Sequence, residues 1–165
     1  MRQESQDDVI KLAKFVGVQK AIIYFPYNQH GLLVPNKQFW MTFTDQEAIL
    51  FVSPNTIIES APRSNLVVLT KNEMTLDYLQ EIKGYISMLD NLRHIRIIAS
   101  DIHIPRIKRD LKLVLDNKLD FDIEYIEIKL PNSFWKLVYS LRELLIRSLP
   151  MRIYKKLASK QQVKE

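Results

Sequence analysis

The sequence predicts an α/β fold: a Rossmann-like open, mostly parallel sheet with helices on both faces. From residue 65 onward, strand-like apolar runs alternate with amphipathic helical segments. This order is typical of parallel strands joined by right-handed helical crossovers. The length of 165 residues is that of one domain. We therefore expect a single α/β domain over residues 1–150, followed by a flexible basic tail over residues 151–165.

The strands are predicted from short apolar runs bounded by turn residues. These runs are Lys20–Phe25, Lys37–Phe43, Asn65–Thr70, His94–Ala99 and Phe121–Ile128. The last run alternates apolar and acidic residues, which indicates an edge strand with one wet face. Ala48–Val52 is also apolar, but a helix over Asp45–Val52 explains it nearly as well as a strand.

The helices are predicted where apolar residues recur at spacings of three and four. These segments are Gln3–Val16, Thr75–Asn91, Pro105–Asn117 and Phe134–Leu149. Pro105 suits a first helical turn, and Pro150 ends the last helix.

The last helix is apolar on more than one side, so packing on the sheet would leave Trp135, Tyr139 and Ile146 for another surface. Basic side chains are concentrated in the same region. They are Lys136, Arg142, Arg147, Arg152, Lys155, Lys156, Lys160 and Lys164. The sequence is compatible with a core helix followed by a solvated tail, and with a segment that docks on an anionic membrane surface. Nucleic-acid binding is less expected, since no recognisable module accompanies the basic residues.

Composition excludes several kinds of site. The chain has no cysteine and only three glycines, which excludes thiol chemistry, the dinucleotide fingerprint and the P-loop. Its three histidines include no close pair, so we expect no metal site. The chain has neither an apolar run of about 18 residues nor the apolar segment of a secretory signal. We expect it in the cytoplasm or peripherally at the cytoplasmic membrane.

Polar residues gather where the strand His94–Ala99 ends and the next helix begins. Ser100, His103 and Arg106 supply a hydroxyl, an imidazole and a guanidinium there. Ligands of open α/β sheets bind at the carboxyl edge, and a helix N-terminus favours an anion. The segment therefore favours a phosphate or carboxylate ligand. In the alternative interpretation, Ser100 or Asp101 caps the helix, and His103 and Arg106 are solvated surface residues.

A second group of polar residues follows the strand Lys20–Phe25. Asn28 and His30 lie in the loop after this strand and can reach the same edge of the sheet. The alternative for His30 is an ordinary exposed loop histidine.

Residues 100–106, SDIHIPR, resemble the [TS]-S-x-x-H-x-x-R signature of the YdcF/SanA/ElyC-like family, a bacterial group tied to cell-envelope biogenesis. The similarity extends roughly over residues 55–150. Asn72 and Thr75 are similar to the polar helix start of the family, and a Leu-Arg-Glu element (residues 141–143) lies in the final helix. This sequence lacks the Gly-rich turn after the first strand and the Ser-Gly-Gly element that the family usually carries.

The resemblance implies a Rossmann-type protein that acts in envelope or surface-polysaccharide metabolism. Its ligand would be a phosphorylated or nucleotide-like small molecule, with S-adenosylmethionine as a candidate cofactor. Ser100 and His103 would be catalytic, with His103 binding the ligand or shuttling a proton. Arg106, Asn72 and Thr75 would bind the ligand. Because glycine elements are missing, the alternative is a non-catalytic interaction protein that docks through its C-terminal helix and tail.

Overall fold

A computed structural model of the chain describes residues 17–25, 48–53, 65–69, 75–115, 121–130, 134–154 and 156, except for the side chain of Trp135. The predicted helix Gln3–Val16 and the predicted strand Lys37–Phe43 lie outside these residues.

The described residues form five strands and three helices. The strands are β1 (Lys20–Tyr24), β2 (Ile49–Val52), β3 (Leu66–Val68), β4 (His94–Ser100) and β5 (Asp122–Ile128). The helices are α1 (Thr75–Ile86), α2 (Ile104–Val114) and α3 (Phe134–Ser148). Ile49–Val52 is thus a strand, and all of its residues are buried. Burial on both faces explains why its apolar run lacks the alternation that would have distinguished it from a helix.

All pairings in the sheet are parallel, and the strand order is β3-β2-β1-β4-β5. This is the order of a Rossmann-type sheet, and it confirms the predicted α/β fold class. β2 and β3 lie on one side of β1, whereas β4 and β5 lie on its other side. The topological switch point is therefore between the carboxyl ends of β1 and β4. Ser100 is the last residue of β4, and Phe25 follows β1 directly beside it, where its N–H donates to Ile98 O at 2.9 Å.

Both faces of the sheet are buried. Ala21, Ile23 and Phe25 belong to one apolar cluster with residues of α1 and α2. Ile22 and Tyr24 point the other way and belong to a second cluster of strand residues. A helix on this second face stays a prediction, because Gln3–Val16 lies outside the described residues. Within the sheet formed by the described residues, β5 lies at one edge, and its exposure alternates as its sequence pattern predicts.

The packed part of the chain extends beyond residue 150. Residues 151–154 form a helical turn, and Tyr154 is completely buried. Its hydroxyl donates to Asp110 Oδ2 at 2.5 Å, and the Arg109 guanidinium lies 4.3 Å from the centre of its ring. The domain boundary predicted after Pro150 is therefore too early, since Tyr154 belongs to the core.

The side of α3 that faces outward also differs from the prediction. Tyr139 is buried, and Ile146 packs against the main core. The outward side carries other residues, which are Phe134, Leu137, Leu141, Leu144 and Leu145. Since α3 is apolar on most sides, its sequence alone does not decide which side packs. The described residues include no helix long and apolar enough to cross a membrane.

Candidate functional site

Four of the predicted site residues meet at the carboxyl end of β4. Ser100 ends the strand, His103 is the N-cap residue of α2, Arg106 lies in the first turn of α2, and Thr75 begins α1. All four are buried, the most exposed being Arg106 at 8%. The alternative interpretation of His103 and Arg106 as solvated surface residues is therefore wrong.

The helix start is not capped in the way the alternative interpretation required. The N-cap residue of α2 is His103, without a side-chain capping bond, and Pro105 stands in the first turn as predicted. Asp101 instead accepts hydrogen bonds from Ile102 N at 2.9 Å and from Lys136 Nζ at 3.2 Å. Asp101 thereby ties the β4–α2 connection to the first turns of α3.

Thr75, His103 and Arg106 form a closed triangle of short contacts. Arg106 Nη2 lies 2.7 Å from Thr75 Oγ1 and 2.8 Å from His103 Nε2, and these last two atoms are 2.9 Å apart. A guanidinium can only donate hydrogen bonds, so His103 Nε2 must accept. This contact assigns the neutral tautomer of His103 with its proton on Nδ1.

The electrostatics of the site agree with that assignment. Burial lowers the pKa of His103 well below its ordinary value, and the positive charges of Arg106 and Arg142 lower it further. His103 is therefore an uncharged acceptor at neutral pH. In the structure, His103 Nε2 accepts a hydrogen bond from Arg106. The proton-transfer role predicted for His103 stays a prediction.

Arg106 is held on its other side by α3. Its Nε lies 3.3 Å from Glu143 Oε2, and both side chains are buried. Burial raises the pKa of Glu143, while the charge of Arg106 opposes that shift. The sequence indicates Glu143 only as part of the Leu-Arg-Glu element and not as a site residue. The signal that could have found it is that Glu143 is the only acidic residue between positions 134 and 154.

The Ser100 hydroxyl has unused hydrogen-bonding capacity. The residue has no exposed surface, and its Oγ makes no hydrogen bond within the described part of the chain. A buried hydroxyl without a partner costs free energy, so native proteins usually satisfy it with a protein group, a water molecule or a ligand. Ser100 therefore offers a hydrogen-bond donor at the edge where ligands of this sheet type bind.

Aromatic residues connect this cluster to the end of β1. The Phe25 ring stands edge-on to the His103 ring at 5.7 Å and contacts the Tyr78 ring at 4.9 Å. Tyr78 in turn donates from its hydroxyl to Tyr24 O at 2.9 Å. The two strands that flank the switch point are thus packed together through this site. Phe25 was not among the predicted site residues, because its apolar run identifies it only as core.

Three predicted binding residues, Asn28, His30 and Asn72, lie outside the described residues, so their placement stays a prediction. Among the residues that the structure describes, no cluster of histidine, aspartate and glutamate side chains is suited to hold a metal ion.

Comparison of the chain with protein-family models, curated proteins and solved structures gives no match. The class of protein is therefore defined by fold and site alone. The chain is a Rossmann-like α/β protein with a buried hydroxyl–imidazole–guanidinium cluster beside its topological switch point.

Proposed function

We propose that the chain binds a phosphorylated or nucleotide-like small molecule at the carboxyl edge of the sheet, between β1 and β4. The observation that carries this proposal is the position of the cluster: Ser100, His103 and Arg106 stand together at the switch point of a parallel sheet. Ligands of such sheets bind there.

Each side chain has a separate part in the proposed binding. Ser100 donates a hydrogen bond to an oxygen of the ligand, since its hydroxyl has no other partner among the described residues. Arg106 supplies a positive charge that Thr75, His103 and Glu143 hold in a fixed orientation. A fixed guanidinium binds an oxyanion at a lower entropic cost than a mobile one.

The biological setting proposed is bacterial envelope or surface-polysaccharide metabolism. It rests on the resemblance of residues 100–106 to the YdcF/SanA/ElyC-like signature. The resemblance supplies a ligand class and a site.

The test is calorimetric titration of the full chain with three probes: inorganic pyrophosphate, UDP and S-adenosylmethionine. The first probe is an anion, the second an anionic nucleotide, and the third carries a nucleoside without phosphate. Ser100→Ala should weaken binding of the probe about tenfold, as expected when a hydrogen bond to a charged group is lost.

The matched control is Ser87→Ala. Ser87 follows α1 at the opposite edge of the sheet, and its hydroxyl donates a hydrogen bond to Gly84 O. This variant should bind the probe as the parent does. If no probe binds, or if Ser100→Ala binds as tightly as Ser87→Ala, the proposed site is wrong.

A further inference from the structure

The outward side of α3 carries large apolar side chains that the fold does not bury. We call these residues the α3 apolar row: Phe134, Leu137, Leu141, Leu144 and Leu145, with exposed fractions of 71, 59, 53, 55 and 70%. Single exposed apolar residues are common, but a continuous row of them usually marks an interaction surface.

The row occupies one narrow side of the helix. Because successive residues of a helix turn by 100°, its five members fall within an arc of about 100°. The opposite side of α3 faces the molecule through the buried residues Tyr139 and Glu143. The fold therefore covers one side of α3 and leaves the apolar row on the other side exposed.

Cationic side chains border the row. Arg142 and Arg147 are exposed, and on the helix they lie about 60° beyond opposite edges of the arc. Arg152 and Lys156 are exposed in the following turn and beyond it. The only carboxylate between residues 134 and 154 is Glu143, which is 3% exposed and faces Arg106. The accessible charge contributed by residues 134–154 is therefore positive.

We propose that the α3 apolar row docks on an anionic lipid surface, with α3 lying in the plane of the interface. A helix of 15 residues is about 22 Å long, and one apolar arc with cations along both borders is typical of interfacial helices. Long cationic side chains at such borders reach out to the lipid headgroups while their stems cover apolar surface.

Charge favours a lipid surface over a second copy of the chain. Two copies that paired through the row would bring Arg142 and Arg147 of both chains to one interface, with no exposed carboxylate in residues 134–154 to pair with them. Anionic headgroups neutralise the same charges, and each cation near such a surface strengthens binding about fivefold. This proposal is independent of ligand binding at Ser100.

The experiment is flotation of the full chain with vesicles of phosphatidylcholine, with and without phosphatidylglycerol. We expect binding that requires phosphatidylglycerol and weakens with added salt. Leu141→Glu combined with Leu145→Glu should abolish it, because both substitutions place a carboxylate in the row. Arg142→Gln combined with Arg147→Gln should weaken it more than tenfold, because two cations are lost.

Matched controls lie on other elements. Met88→Glu replaces an apolar residue that is 53% exposed, as Leu141 is, but that follows α1. Lys112→Gln removes an exposed cation from α2. Both should bind the vesicles as the parent does, and unchanged unfolding midpoints should verify that every variant is folded.

Two outcomes would overturn the proposal. The first is vesicle binding that the row variants and the control variants change equally. The second is a chain that binds neither kind of vesicle and that light scattering shows to be a dimer. Leu141→Glu would then convert this dimer to a monomer. In that case the occupant of the row is a second copy.

Discussion

His103 Nε2 is the atom on which the arrangement of the polar cluster depends. A buried guanidinium is tolerated only when acceptors surround it, and Arg106 finds them in Thr75, His103 and Glu143. Only the neutral imidazole can accept at Nε2. Burial is the largest cause of the lowered pKa of His103, and the positive charge of Arg106 lowers it further, because a protonated ring would place an N–H and a positive charge against the guanidinium.

We predict that this histidine makes the stability of the protein depend on pH. The pKa of His103 is lowered in the folded state. Below about pH 6.5, His103 is therefore protonated in the unfolded chain but stays neutral in the folded chain. The contribution of His103 is therefore complete above that pH and is lost as the pH falls. The loss should reach about 1.4 kcal/mol per pH unit.

Urea unfolding of the parent and of His103→Gln, between pH 7 and pH 5.5, measures this effect. The Gln side chain keeps an oxygen acceptor but does not titrate, so the difference in stability between the two proteins should narrow toward low pH. Asp110 and Glu143 are present in both proteins, and their raised pKa values act in the opposite direction. Parallel pH profiles of the two proteins would contradict the assignment of a neutral, buried His103.

At the scale of elements, one side chain from each helix joins the three helices at the cluster. Thr75 begins α1, Arg106 lies in the first turn of α2, and Glu143 comes from the middle of α3. A further link runs from Arg109, whose Nη1 donates to the carbonyl oxygens of Ile146 and Arg147 at 3.2 and 3.1 Å. A cation at the C-terminal end of α3 also stabilises the helix dipole.

We predict strong coupling between Arg106 and Glu143. Arg106→Met and Glu143→Leu should each cost about 3–5 kcal/mol, because each leaves a buried charge without its partner. The double variant removes both charges and should cost clearly less than the sum of the single losses. A double-mutant cycle from urea unfolding measures the coupling. Additive losses would mean that the ion pair contributes nothing as a pair.

For the molecule as a whole, the core includes a residue, Tyr154, that the sequence analysis assigned to the tail. Tyr154 reaches back across α2, and its hydroxyl bonds Asp110 while its ring packs in the main cluster. Burial raises the pKa of Asp110, and the bond from Tyr154 opposes that shift. The C-terminal residues up to Tyr154 are therefore structural.

We predict that Tyr154→Ala destabilises the fold by about 3–5 kcal/mol, as the loss of a large core side chain does. Tyr154→Phe should cost about 1–3 kcal/mol, because Asp110 loses a hydrogen-bond donor in a buried position. The neighbouring residue provides the control: Ile153 is 48% exposed, so Ile153→Ala should change the stability by no more than about 0.5 kcal/mol. Equal effects at both positions, measured by urea unfolding, would contradict the burial of Tyr154.

The sequence predicts most of the sheet because its signals are local. Apolar runs between turn residues give four of the five strands directly, and alternation with helices gives their parallel direction. The same local signals bring Ser100, His103 and Arg106 to the end of β4. They also place Thr75 at the start of α1, although the local pattern does not indicate that Thr75 and Arg106 touch.

Tertiary structure decided what local signals cannot determine. The partner of Arg106 is Glu143, 37 residues further on, and such a contact depends on how α2 and α3 cross. The outward side of α3 and the burial of Tyr154 were likewise unpredictable from periodicity, since an element that is apolar on most sides can pack in more than one orientation. The sequence by itself determined the type and the order of the described elements except β2, which it left open between a strand and a helix. The packing of those elements decided which charges are buried together and which apolar row is left facing outward, because both depend on contacts between residues far apart in the chain.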